Sequence, residues 1–293
     1  MSYRDTFEFQ VSKFYTRLRI VDLCIEHIGK YVEADIFIEI SAGNGAWMDL
    51  LHKLNKPCLF YDLYPEHRYI IKQDYLTLDT DQFSGFKNIC VVGNPPFGNM
   101  CSLVNQFIKK SSFAQYMALI LPITYKKPTK HKHFDSYFHL LFEIELPANS
   151  FLFKSNIINV KCVFQIWKKL DYEREPIIKH HTDDFKFVRN IGDADIVIKA
   201  RGMRCGRILE IHDKKIAYCD IGIKCRVPVQ YVRKRLCNLV ENFDRSCFVA
   251  CPNINQQEII KYYNQQVNIS HIFFPTSHIF LNLRGKNYTK IKI

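Results

Sequence analysis

The chain has 293 residues, 47% of them apolar and 24% charged, which excludes a disordered or collagen-like polymer and leaves room for one large or two modest folded domains. Lysine and arginine number 41 against 29 acidic residues, and this balance of +12 points to a polyanionic partner, nucleic acid before an acidic membrane surface. No apolar run approaches the roughly 20 residues of a bilayer span, and the polar, acidic stretch from Met1 to Gln10 is unlike a signal peptide, so no membrane partner is expected.

Val11 to Ile28 carries Leu18, Val21, Cys24, Ile25 and Ile28 at helical spacing and predicts a helix. Ile36 to Ile40 is a short apolar strand that ends in Glu39-Ile40-Ser41-Ala42-Gly43-Asn44-Gly45, and Ala46 to Leu54 predicts the next helix. Pro57 to Tyr61 is a strand closing on Asp62. Asn88 to Val92 is another, running into Gly93-Asn94-Pro95-Pro96-Phe97-Gly98. Ser102 to Lys110 has amphipathic helical spacing, and Tyr116 to Leu121 is a further strand. Strands punctuated by helices argue for an α/β fold with a mostly parallel sheet covered on both faces. His139 to Leu146 and Val160 to Trp167 have no long helix between them and predict a terminal antiparallel hairpin.

Lys168 to Asp184 is charged, contains Pro176 and reads as a linker between a catalytic domain over 1–170 and a small α+β domain over 183–293. Strands are expected there at Phe185 to Arg189, Ile196 to Ala200, Arg207 to Ile211 and Ile216 to Cys219, and helices at Val229 to Phe243 and Asn255 to Gln265. Residues 1–170 hold 20 basic and 16 acidic groups and residues 171–293 hold 21 and 13, so the second part carries most of the excess. It concentrates between Lys199 and Arg235, where Arg201, Arg204 and Arg207 are expected on one side of a short hairpin, facing phosphates. The 11 cysteines lie scattered in apolar runs without a Cys-x-x-Cys pair; they read as small buried hydrophobes of a reducing, intracellular compartment (cytoplasm, or the host cell or nucleus for a viral protein).

Two segments carry chemistry. Glu39 to Gly45 follows the first strand of the sheet, where α/β folds take nucleotide-like ligands, and its small residues permit close backbone approach; Asp62, after the next strand, suits ribose hydroxyls. Asn94-Pro95-Pro96-Phe97 is the more specific signal. Two prolines remove two backbone donors and hold the chain extended. The Asn94 side-chain oxygen and the Pro95 carbonyl are left to accept hydrogen bonds from an exocyclic amino group, with Phe97 as an aromatic face for a base. Lys126, Lys127, Lys130 and Lys132 form a basic loop after the Tyr116 strand, placed to hold phosphates around an extruded nucleotide.

On these residues the chain resembles the N6-adenine methyltransferases of the class I S-adenosylmethionine-dependent family, over most of residues 10–170. Phe14-Tyr15-Thr16 resembles the motif that closes over the methionine part of the cofactor, and Glu39 to Gly45 resembles the acidic-then-glycine-rich cofactor motif. Asp62, followed by Leu63, matches the ribose-binding acid, and Gln73-Asp74-Tyr75 looks like the segment whose Asp meets the cofactor's adenine amino group. Asn94 to Phe97 resembles the Asp/Asn-Pro-Pro-Tyr/Phe catalytic motif, in the gamma-type order. Ile40 stands where many relatives have Pro, and Ser41 replaces a glycine of the looser pattern.

The resemblance implies a Rossmann-like class I methyltransferase fold and S-adenosylmethionine as cofactor, held by Tyr15, Thr16, Glu39, Ser41, Ala42, Gly43, Asn44, Gly45, Asp62, Leu63, Asp74, Tyr75 and Asn94. It further implies methyl transfer to N6 of adenine in DNA through Asn94, Pro95, Pro96 and Phe97. The same chemistry on RNA, including a cap-proximal adenosine, is the alternative, followed by a catalytically silent nucleic-acid-binding subunit. Intact Asp62, Asp74 and Asn94 to Phe97 argue against the silent subunit. In-line transfer needs alignment more than a strong base, so no metal and no general base among His131, His133 and His139 is expected.

Overall fold

The computed structural model describes residues 14–98, 101–176, 179–210, 216–242 and 252–273; those up to 176 form one compact unit and those from 179 onward a second. The first unit is built on a seven-stranded sheet. Its order is β4 (Ile71–Lys72), β3 (Cys58–Asp62), β2 (Ile36–Glu39), β5 (Ile89–Gly93), β6 (Tyr116–Pro122), β10 (Cys162–Lys169) and β7 (Phe138–Glu145). The first five are parallel to their neighbours, and β10 is antiparallel to both β6 and β7. This is the α/β sheet with a terminal antiparallel pair that the sequence predicts.

Side chains alternate across the sheet, and both faces are dry. Phe37, Cys90, Val92, Ala118 and Ile120 belong to one core with α1 (Leu18–Tyr31) and α2 (Met48–His52), whose Ile20, Cys24, Ile28 and Leu51 pack there. Ile36, Ile38, Val91, Met117, Leu119 and Leu121 belong to the other, with Val104, Phe107 and Ile108 of α3 (Ser102–Lys110). Burial on both faces is the reason the central strands read as unbroken apolar runs. The strand order reverses between β2 and β5, so a crevice opens at their carboxyl ends, bounded by the segments after Glu39 and after Gly93.

The structure corrects several expected elements. The first helix begins at Leu18, while Tyr15 and Thr16 form β1, paired with β8 (Phe151–Phe153); Val11 to Lys13 lie outside the described residues. Arg17 is extended, and its amide donates to the Ser150 carbonyl at 3.1 Å, which holds the chain out of the helix. Strand β8 turns into β9 (Asn156–Ile158) through Lys154 and Ser155, both at positive φ. The expected linker begins later than Lys168, because Lys168 and Lys169 complete β10 and Arg174 folds back on the first unit. Its guanidinium donates to the carbonyls of Asp135, Phe138, His131 and Phe134 and lies over the Trp167 ring.

The second unit has a four-stranded antiparallel sheet ordered β11 (Phe185–Val188), β14 (Ile221–Cys225), β12 (Ile196–Ile198) and β13 (Ile208–Leu209). Helices α4 (Val229–Leu236), α5 (Leu239–Asn242) and α6 (Gln256–Phe273) accompany it, and Val232, Leu236, Leu239, Ile259 and Tyr263 join Phe185, Ile196 and Ile223 in its core. The single helix expected from Val229 to Phe243 is therefore two, broken at Cys237 and Asn238, and Phe243 lies outside the described residues. Ile216 to Cys219 is not a strand. The buried Asp220 carboxylate accepts from the Ala217 and Ala200 amides and from Lys199, turning the chain there, and the strand follows at Ile221. The strand expected from Arg207 spans only Ile208 and Leu209, and Ile211 is outside the described residues. Among the described residues no helix is long and apolar enough to cross a membrane.

Candidate active site

Glu39 ends β2 on the face shared with Phe37 and is 1% exposed, yet among the described residues neither of its carboxylate oxygens has a hydrogen-bond partner. Burial, and secondarily the Asp62 charge, push its pKa well above the ordinary carboxylate value. A buried acid without a donor carries a desolvation cost that an incoming cationic or N–H group would relieve. Gly93, at the end of the neighbouring β5, has φ +133°, and a Cβ there would lie 3.4 Å from Glu39 Cγ. Glycine is what lets the two strand ends close around the carboxylate.

The turn after β2 is built by its neighbours. The Gly43 amide donates to Asp62 Oδ2 and the Tyr64 amide to Asp62 Oδ1, both at 2.7 Å, so the Asp62 carboxylate is fixed in place while lone pairs on each oxygen remain open. Gly43 and Gly45 have φ of +53° and +83°, and a Cβ on Gly43 would meet the Tyr15 ring at 3.4 Å. The Tyr15 hydroxyl donates to Glu66 Oε1 at 2.6 Å, while the Glu66 amide donates to the Gly43 carbonyl at 3.0 Å. A clasp from β1 to the loop after β3 thus spans the glycine turn. Asn44 at its tip is exposed, Ala42 and Thr16 are buried, and Leu63 is 47% exposed. The turn thus combines a buried acceptor that has no donor among the described residues, glycine positions that Cβ atoms would crowd, and a fixed carboxylate beside them.

The Asn-Pro-Pro-Phe segment stands across the crevice. The Ser41 hydroxyl donates to the Asn94 carbonyl at 2.9 Å, and Asn94 Nδ2 donates to the Phe14 carbonyl at 3.1 Å. The amide is thereby oriented, and Asn94 Oδ1 is buried with no donor among the described residues. Pro95 is buried, Pro96 and Phe97 are half-buried, and Phe97 packs against the α1-side core.

Asp74 and Tyr75 differ from each other. Asp74 is half-buried, and its Oδ1 accepts from the Leu76 amide at 2.9 Å. The Tyr75 side chain is directed into the core and bonds the Ser111 hydroxyl at 2.8 Å, so its side chain faces away from the crevice. Glu66 and Tyr64 also border the site and were not singled out by the sequence, because they lie in a polar loop without a motif. Phe14 and Gly93 stand within the two motif segments, but their roles rest on backbone groups that no side-chain pattern announces.

The basic loop forms 3-10 turns at Ile123–Lys126 and Pro128–His133 after β6. Lys126 pairs with Glu145, Lys130 lies over the Tyr125 ring at 5.7 Å, Lys127 is half-buried and Lys132 is exposed. His131 bonds the Tyr125 carbonyl at 3.2 Å and packs edge-on against Trp167; burial holds its pKa below the ordinary imidazole value, and His133 shifts the same way for the same cause. His139 bonds the Tyr172 carbonyl at 3.0 Å. In the second unit, Arg204 and Arg207 line one groove, whereas Arg201 lies outside its lining and bridges to Asn253.

No family model and no curated protein matches the chain. Solved structures similar to it include two chains described as an RNA methyltransferase from Pyrococcus horikoshii and as the modification subunit of a type I restriction enzyme from Vibrio vulnificus. The first is 11% identical with a TM-score of 0.44 over 55% of this chain and 89% of that one. The second is 12% identical with a TM-score of 0.41 over 54% of this chain and 45% of that one, less than half of the subunit. The N-methyltransferase NodS from Bradyrhizobium japonicum is 11% identical with a TM-score of 0.35 over 52% of this chain and 95% of that one.

Proposed function

We propose that the first unit is an S-adenosylmethionine-dependent methyltransferase acting on N6 of adenine in DNA, with the second unit gripping the nucleic acid. The observation that carries this reading is the pair of buried acceptors without donors, Glu39 and Asn94 Oδ1, at the carboxyl ends of adjacent parallel strands. When bound, S-adenosylmethionine supplies an electrophilic sulfonium methyl. Glu39 would hold its ammonium group, the open lone pairs of Asp62 its ribose hydroxyls, and Asp74 its adenine amino group. The Tyr15–Glu66 clasp would close over the glycine turn beside the methionine end.

Adenine's amino nitrogen is a weak nucleophile because its lone pair is delocalised into the ring. Asn94 Oδ1 and the Pro95 carbonyl accept from its two N–H groups and turn lone-pair density toward the methyl group; Ser41 and the Phe14 carbonyl hold Asn94 for that task. The half-buried Phe97 ring stacks on the base. After transfer the methylated nitrogen is acidic and sheds a proton, so no basic side chain is required before the methyl moves. The test is tritium transfer from labelled S-adenosylmethionine to adenine-containing duplex DNA, single-stranded DNA and RNA in parallel, with Asn94→Ala as control. Label in N6-methyladenine of DNA, reduced below about a tenth in the variant, is the expected result. Label only in RNA removes the DNA assignment, and no label in any of the three removes the methyltransferase reading.

A further inference from the structure

The second unit carries a groove of about 540 Å³ between the turn joining β12 to β13 and helices α4 and α5. Arg204, Arg207 and Arg233 line it, together with one acid, Glu210, and the apolar walls include Met203, Ile208 and Val240. Glu210 Oε1 is taken by Arg233, which reaches it with both Nη1 and Nη2 at 3.4 Å. The Arg204 and Arg207 side chains have no acceptor among the described residues. Three guanidinium groups against one carboxylate leave a local excess of two positive charges in a concave surface, where field lines concentrate.

The turn that carries two of these arginines is stiff. The Gly206 amide donates to the Lys199 carbonyl and the Lys199 amide to the Arg207 carbonyl, both at 2.8 Å, while the Arg207 amide closes on the Arg204 carbonyl at 3.0 Å. Cys205 is buried beneath it, and Gly206, at φ +90°, sits so near α5 that a Cβ would meet Val240 Cα at 3.2 Å. Arg204 and Arg207 are therefore presented by a frame locked to the helix that forms the opposite wall, so little ordering is left for a ligand to bring about.

We propose that this groove is a binding site for one phosphate-bearing nucleotide unit, its phosphate held by Arg204 and Arg207 and its base laid against Met203, Ile208 and Val240. A guanidinium fork matches phosphate oxygens in pairs, and the volume lies in the range of small-ligand clefts. Arg233, tied to Glu210, borders the site and contributes field more than contact. The inference rests on the nucleic-acid part of the reading above and on none of its methyl-transfer chemistry.

The experiment titrates the full chain with a fluorescent 12-residue single-stranded oligonucleotide, with adenosine monophosphate and inorganic phosphate as competitors, over a salt series. Arg204→Gln/Arg207→Gln is compared with a charge-matched control outside the groove, Lys186→Gln/Arg189→Gln, both exposed at the β11 strand. The expected result is at least about tenfold weaker binding in the groove variant, and a salt slope flatter by about 0.7 per lost phosphate contact, with less than about twofold change in the control. Displacement by adenosine monophosphate at its own low concentration identifies a free nucleotide as the ligand; displacement only by oligonucleotide identifies a nucleotide within a strand. Equal weakening in both variants overturns the site, because net charge alone then explains binding, and so does an unchanged salt slope in the groove variant. Calorimetry with S-adenosylmethionine on the same proteins separates the two readings. Oligonucleotide binding that depends on the groove in a chain that takes no cofactor leaves the groove standing and removes the methyltransferase.

Discussion

The Ser41 hydroxyl donates to the backbone carbonyl of Asn94 at 2.9 Å, joining the turn after β2 to the Asn-Pro-Pro-Phe segment after β5. Ser41 is half-buried and occupies the position where a glycine is common in the family that the sequence resembles. A glycine there has no such bond to give. The serine couples the two segments that border the crevice.

Ser41→Ala is accordingly expected to cost about 1 kcal/mol of stability, the net worth of one hydrogen bond. Its larger effect falls on geometry: turnover drops by about tenfold or more because Asn94 is no longer held to sub-ångström placement, while cofactor affinity stays within about twofold. Steady-state kinetics beside cofactor calorimetry reads this split. Equal losses in turnover and cofactor affinity would show that Ser41 acts on the cofactor pocket alone.

The central strands of the first unit were legible because β2, β5 and β6 are buried on both faces and so present unbroken apolar runs. Helix α6 was legible for a different reason: Asn255 and Glu258 cap it reciprocally, the Glu258 amide donating to Asn255 Oδ1 at 3.0 Å and the Asn255 amide to Glu258 Oε2 at 2.8 Å. Strand β1 was hidden, since two residues have no period and their partner lies far along the chain at Phe151 and Leu152. The β8–β9 turn was hidden because Lys154 and Ser155 occupy positive φ where Asn-Gly would have announced it. At the site, the acid, the glycines and the Asn-Pro-Pro-Phe segment stood out. Glu66 did not, because a carboxylate whose role is to hold a distant phenol leaves no local pattern.

Gly93→Ala tests the closure around Glu39. A residue with a side chain at φ +133° is strained by about 1–3 kcal/mol, and its Cβ would press on Glu39 Cγ from 3.4 Å. Chemical denaturation is expected to show that loss in stability, and cofactor binding is expected to weaken with it. A midpoint equal to that of the parent would mean the strand end relaxes to a normal conformation and does not need glycine.

Tyr15→Phe removes the hydroxyl of the clasp and keeps the ring over Gly43. Burial first, then the bond to Glu66 and the charges of Glu66 and Asp62, raise the Tyr15 pKa, so the phenol stays a donor through the neutral range and the clasp is insensitive to pH there. The bond is near the surface, so its worth to stability is small, about 0–1 kcal/mol. Its effect is expected in kinetics: cofactor dissociation, followed by stopped-flow fluorescence, speeds several-fold while association changes little. An unchanged dissociation rate would remove the clasp from cofactor retention.

Glu39→Gln tests the buried acid through the pH dependence of stability. In the folded, ligand-free chain its pKa lies well above the ordinary 4.5, because burial and then the Asp62 charge disfavour the carboxylate. Below pH 4.5 both folded and unfolded chains hold the proton, and the acid carries no charge penalty. As pH rises past 4.5 the unfolded chain releases its proton while the folded chain retains it, so stability falls until the folded carboxyl ionises at its higher pKa. Glutamine has nothing to release. The variant is therefore expected to match the parent's melting temperature near pH 4 and to exceed it increasingly toward neutral pH. With S-adenosylmethionine present the order reverses, since the parent gains a charge-assisted bond to the cofactor's ammonium and the amide does not. Melting curves from pH 4 to 8, with and without cofactor, read both effects. Parallel pH profiles for the two proteins would mean that Glu39 ionises normally in the folded chain, and a cofactor-induced rise of equal size in both would mean that it holds no part of the cofactor.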